Sequence, residues 1–151
     1  MRARDLMEPY PYVYAHEEAL TAAHQLVDHR LPALLVLDSV GGPFALVPSC
    51  EFVRTFVPSY AVQHPGLSQC LHEEEITCGP EDLREMTVIE WLPDRTRPPM
   101  VGPDCSVVQA AALMARRRSA LVAVVTREGR STHLLGVITA TRMTEYFTEN
   151  T

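Results

Sequence analysis

The sequence predicts a mixed α/β (α+β) fold in which two β-α-β-β-α repeats pack with pseudo-two-fold symmetry. Three observations carry this prediction. First, the chain is similar to itself. Displaced by 88 positions, "VYAHEEALTAAHQLVDHRLPALLVL" from Val13 lies over "VGPDCSVVQAAALMARRRSALVAVV" from Val101. Val13 then meets Val101, Ala22-Ala23 meets Ala110-Ala111, Arg30 meets Arg118 and Val36 meets Val124. After a three-residue difference in the next turn, "FALVPSCEFVRTF" lies over "LGVITATRMTEYF". Second, each copy contains an unbroken apolar run, "ALLVL" from Ala33 and "ALVAVV" from Ala120. A strand of that kind is buried on both faces, so helices must cover its sheet. Third, the apolar residues ahead of each run recur at helical spacing.

Each repeat opens with a short extended segment, around Val13 or Val101. A helix follows. In the first repeat it runs from about Glu17 to His29, with Leu20, Ala23, Leu26 and Val27 on one stripe. In the second, "SVVQ" places Ser106 and Gln109 as a capping box ahead of Val107, Ala110, Ala111 and Met114. The apolar strand comes next, then a turn, "DSVGGP" or "TREGRSTH", then a second strand and a final helix. The repeats are placed at 4–57 and 87–147, joined by a partly helical linker at 58–86. Each unit is about 60 residues, marginal alone, so the two are expected to share a core.

Composition narrows the function. Apolar residues make up 46% and charged residues 21%, as in ordinary globular proteins, and the formal charge of −6 argues against a nucleic-acid partner. "MRARDLMEPYP" does not read as a signal peptide, and no segment approaches the roughly 20 apolar residues of a membrane span. The four cysteines, Cys50, Cys70, Cys78 and Cys105, are scattered, which suggests reduced thiols and a cytoplasmic location. No nucleophile–base constellation, Walker loop or spaced Cys/His set is readable, so the chain is not read as an enzyme.

The duplicated β-α-β-β-α order, the lead-in "RDLM", the stretch "MVGPDCSVVQAAALM" and the strand–turn–helix "LLGVITATRM" resemble the CBS domain, the cystathionine-β-synthase-type repeat. Two such repeats in tandem form a Bateman module. The resemblance implies a regulatory binding role, with clefts between the repeats for adenosine-containing ligands: AMP, ATP or S-adenosylmethionine. It also implies a Thr or Ser reaching phosphate at the end of the last strand and, three residues on, an Asp accepting from ribose. Carried onto this chain, Thr139 holds the hydroxyl position of the second repeat and Arg142 stands where the Asp is expected. In the first repeat Pro48 replaces the Thr, with Ser49 beside it, and Glu51 takes the Asp position. The candidate ligand-binding set is therefore Thr139, Thr141, Arg142, Val101 and Val122, with Ser49 and Glu51. Adenine would lie against apolar strand residues. Neither half carries a complete motif.

Arg142 admits two readings. It either pairs with Glu145 at i+3 on the helix surface, or it points into the cleft and replaces ribose recognition with recognition of an anion. On the second reading the second-repeat cleft, with its hydroxyl and its cation, is the expected site for phosphate. Two functions follow from the resemblance. One is a stand-alone sensory module that binds a nucleotide-like or other anionic ligand and acts on an unidentified regulated protein. The other is a protein–protein assembly module whose clefts no longer bind. Homodimerisation is expected in both, through the helices carrying Val53, Phe56, Met143, Tyr146 and Phe147.

The remaining features have plain structural readings. Cys70, His72 and Cys78, with His64 and Glu73–Glu75 nearby, do not match a known zinc spacing, and no metal is assigned. The run Arg116–Arg118 suits the negative end of a helix dipole, a reading preferred to a phosphate or nucleic-acid role. Tyr10, Tyr12 and Tyr14 share one side of an extended segment, and they and Trp91 are read as packing residues.

Overall fold

The computed structural model describes residues 1–70, 78–92 and 96–149. It contains two three-stranded sheets. The first half consists of β1 (Tyr12–Tyr14), α2 (Ala19–Asp28), β2 (Ala33–Leu37), β3 (Pro43–Pro48) and α3 (Ser49–Val53). The second consists of β4 (Met100–Val101), α7 (Val107–Arg117), β5 (Leu121–Glu128), β6 (Ser131–Thr139) and α8 (Ala140–Glu149). In each, the first strand pairs parallel with the second, which pairs antiparallel with the third. Even the irregularities repeat. The ladders slip after Val36 and after Val124, and Arg30 and Arg118 both leave their helices at φ 50°. The capping box forms as the sequence predicts: the Gln109 N–H donates to Ser106 Oγ at 3.2 Å and starts α7.

The strands are apolar throughout because both faces are used. Leu34 and Val36 face α2, while Ala33, Leu35 and Leu37, with Leu46 of β3, face the other half, where they meet Leu121 and Val137. This alternation makes an inter-sheet core that belongs to neither repeat. Gly42 marks how tightly the halves meet: a Cβ there would lie 2.5 Å from the Thr132 carbonyl oxygen.

The lead-in segments cross over. Helix α1 (Ala3–Leu6) packs Ala3 and Leu6 into the second half, among Val107, Ala110, Met114 and Met143, and the Ala3 N–H donates to the Cys105 carbonyl at 2.8 Å. Reciprocally, α5 (Pro80–Arg84) and α6 (Val88–Trp91) bury Leu83, Val88 and Trp91 in the first half. Trp91 stacks on Phe52 with ring centroids 4.3 Å apart, and its indole N–H donates to Thr55 Oγ1 at 3.1 Å. Between the halves lie α4 (Ser59–Gln63) and a 3₁₀ turn (Pro65–Cys70).

Two expected placements are corrected. Val27, assigned to the buried stripe of α2, is 72% exposed, because that short helix buries Ala19 and Ala22 instead. Met143, assigned to an outer dimerising surface, is buried in the second-half core. The feature around Cys70 and His72 lies outside the described side chains; Cys78 is a buried member of the first-half core.

Candidate functional site

Backbone pairing defines two equivalent clefts. In one, the Leu46 N–H of β3 donates to the Thr96 carbonyl; in the other, Val137 of β6 pairs with Glu8. Thr96–Pro99 and Glu8–Pro11 are therefore matching walls. Likewise the first N–H of α3, on Ser49, donates to Pro32, and that of α8, on Ala140, to Ala120, each at 2.9 Å.

In the second half the matching positions engage the protein's own groups. Thr139 Oγ1 accepts from the Arg142 N–H at 3.1 Å and so caps α8. The Arg142 guanidinium donates to Glu145 Oε1 at 3.0 Å and to the Leu6 carbonyl at 3.4 Å. Tyr10, at the place Pro98 takes in the other cleft, packs against the inter-sheet core and donates its hydroxyl to the Ala33 carbonyl at 2.7 Å. Burial pushes the Tyr10 phenol above its usual range, which keeps it a donor. Thr141 is exposed on the outer face of α8. Val122 points beneath α7 and Val101 packs at the edge of the same core, because that face of β5 alternates away from Leu121. The structure thus brings Thr139 and Arg142 together but leaves Thr141, Val101 and Val122 apart from them.

The first-half cleft is open. A cavity of about 380 Å³ has Ala33, Leu46 and Val47 on one side and Pro98, Pro99 and Ala120 on the other. Glu51 and Pro48 border it; Ser49 does not. Its rim carries Arg54, Arg97, Arg117 and Arg118. Glu51 is shared with Arg54 at 3.4 Å, the reverse in polarity of the equivalent Arg142–Glu145 pair. Arg117 donates to the Arg97 carbonyl at 2.8 Å, tying the end of α7 to the cleft wall. Arg118 sits in the left-handed region, where a helix more often ends in glycine. In the sequence Arg117 and Arg118 belong to a cationic run that reads first as a helix end, and Arg54 and Arg97 carry no pattern of their own.

The comparisons agree with this architecture. A family model described as the CBS domain matches residues 92–149. A CBS domain-containing protein of unknown function from Kribbella flavida DSM 17836 is 32% identical, with 98% of this chain and 99% of that one covered and a TM-score of 0.83. The chain belongs to the CBS-domain family. The fold of this CBS pair is shared more distantly. CBSX2, solved in complex with AMP, is 16% identical over 99% of this chain and 97% of its own, with a TM-score of 0.67. A CBS domain pair solved with 5′-methylthioadenosine and S-adenosyl-L-methionine is also 16% identical, over 100% and 98%, with a TM-score of 0.64. No curated protein matches the sequence. Among the described residues no helix is long and apolar enough to cross a membrane.

Proposed function

We propose that this CBS pair is a regulatory module that holds one small anionic ligand per chain, of the adenine-nucleotide type, in the first-half cleft. The observation that carries the reading is the contrast between the clefts. One is an open cavity of about 380 Å³, within the size range of small-molecule sites, and it keeps a carboxylate at the ribose position. In the other, the hydroxyl, the cation and the tyrosine are all committed to internal partners. Relatives of the same fold solved with AMP, or with S-adenosyl-L-methionine, support a nucleotide-like occupant. The role is binding rather than catalysis.

Calorimetry with ATP, AMP and S-adenosylmethionine tests this. One site per chain is expected, and Arg142→Asp should leave binding unchanged because that residue belongs to the second-half cleft. Two equivalent sites, or loss of binding in Arg142→Asp, would move the ligand to the second half; silence from all three nucleotides would remove the reading.

The module is further proposed to be a homodimer. The short helix α3 exposes Val53 at 59% and α8 exposes Phe147 at 37%, and a two-fold contact would cover both. Light scattering at micromolar concentration should return twice the chain mass, and Val53→Asp with Phe147→Asp should return it to one.

A further inference from the structure

The two lead-ins, residues 1–8 and 86–92, dock in equivalent ways. The Ala3 N–H donates to the Cys105 carbonyl and the Val88 N–H to the Glu17 carbonyl, each at 2.8 Å. Arg4 donates to Pro103 and Ile89 to Ala15, each at 3.0 Å. They are fastened unequally. The segment from α5 through α6 buries Leu83, Val88, Trp91 and Leu92 in the first half. The N-terminal lead-in buries Ala3 and Leu6, in a groove walled by Val107, Ala110 and Met114 of α7 and Met143 of α8. Its other ties are polar. Arg4 pairs with Asp104 at an exposed site, and Arg2 donates to the Asp104 carbonyl at 2.6 Å. Arg142 donates to the Leu6 carbonyl at 3.4 Å, and Glu8 exchanges two backbone hydrogen bonds with Val137, each at 2.9 Å. Beyond Glu8 the chain passes through Pro9, outside any helix or strand and with no N–H to tie, to Tyr10, whose hydroxyl is anchored on the Ala33 carbonyl. Pro9 is thus a hinge beside a fixed point. Few buried apolar contacts and exposed hydrogen bonds mark a segment that opens ahead of the rest of a fold.

We infer that residues 1–8 form a displaceable strap, and that the groove beneath it docks a short helical segment of a partner protein. The strap itself displays the chemistry that the groove accepts: a small apolar residue, a leucine three positions on, and basic residues on the Asp104 side. Asp104 selects a cationic segment. Met114 and Met143, being unbranched and adaptable, accommodate a side chain that is not identical to Leu6. The Val137 N–H and carbonyl, released by Glu8, offer the edge of β6 to the incoming backbone. The inference is independent of what either cleft holds.

The first test is amide hydrogen exchange on the full chain. The amides of Ala3, Arg4, Glu8 and Val137 should exchange together, well before that of Ala123 in β5. A single rate for all five would overturn the strap as a unit that opens by itself. The second test is fluorescence anisotropy of a labelled synthetic peptide of residues 1–8 added to full-length protein. Leu6→Asp places a carboxylate in the apolar groove and unseats the strap; Leu6→Ala loosens it with less risk to the fold. Each folded variant should bind the peptide more tightly than the wild type, whose groove is filled. Equal binding by the wild type would overturn the strap as the blocking element, and a folded variant that binds no peptide would overturn the groove. Asp104→Arg added to Leu6→Ala should weaken the peptide about fivefold at low salt, the scale of an exposed ion pair. A peptide carrying Arg2→Glu and Arg4→Glu should prefer that double variant. Indifference to both charge changes would overturn the selection for a cationic segment. A dimer formed only on mixing Leu6→Asp with wild type, read by light scattering, would overturn the partner protein in favour of a second copy's strap.

Discussion

Residues 1–57 expressed alone are expected to show no cooperative melting transition. The reason lies in what the fragment leaves behind. Its half-core is completed by Leu83, Val88, Trp91 and Leu92, which arrive from beyond the linker, and the outer face of β2 is covered by Leu121 and Val137. Meanwhile its own Ala3 and Leu6 lose the second-half pocket that buries them. A chain of this size has little stability to spare even with its core intact. Circular dichroism on heating should give a shallow, featureless slope. Adding residues 58–151 should restore a sharp transition, since both crossed segments then find their partners. A steep transition for 1–57 alone would contradict the shared core.

The second large effect is expected at Trp91. Its ring is 4% exposed, stacks on Phe52 and lies 6.3 Å from Phe56, and its N–H has a partner in Thr55. Trp91→Ala should cost about 3–5 kcal/mol in urea-monitored unfolding, the range for deleting a large buried aromatic. That is a large share of the roughly 5–15 kcal/mol available to a natural domain. Trp91→Phe keeps a ring on Phe52 and loses the hydrogen bond and some contact area, so a smaller cost is expected. The Phe44–Phe56 stretch of the first half, not the second, should be the region whose amide exchange accelerates. A loss below about 1 kcal/mol for Trp91→Ala would mean that the α6 segment does not complete that core.

Much of the fold was legible because it is written in local patterns. Period-2 burial cannot be seen in "ALLVL", but an uninterrupted apolar run of that length, set between a helical periodicity and the turn "DSVGGP", points to a strand covered on both faces. The Ser106–Gln109 cap is a contact between residues three apart, so it is visible in the letters and present in the structure. The pairing of Arg142 with Glu145 is legible for the same reason. Low identity between the repeats did not matter, because the positions that agree are the ones that set backbone geometry: Val36 with Val124 at the ladder slips, Arg30 with Arg118 at the helix ends.

What the sequence by itself determined, then, is the order of elements, the duplication, the membership suggested by "LLGVITATRM" and the incompleteness of both ligand motifs. Only the tertiary structure decided that the first-half cleft holds an open cavity. Tyr10 reads as one of three tyrosines on an extended chain until the first strand pairs with the second and brings its hydroxyl to the Ala33 carbonyl. Arg97, Arg117 and Arg118 read as two unrelated cationic features until the end of α7 and the wall of the cleft meet, 20 residues apart in sequence between Arg97 and Arg117. The crossing of the lead-in helices is likewise invisible, because Leu6 and Trp91 are apolar residues that would satisfy the core of either half. Hydrophobic burial specifies how much surface must be covered but not by which segment. That choice is made by the geometry of the whole chain, which here also sets Tyr10 against the inter-sheet core and leaves a cavity in the first-half cleft.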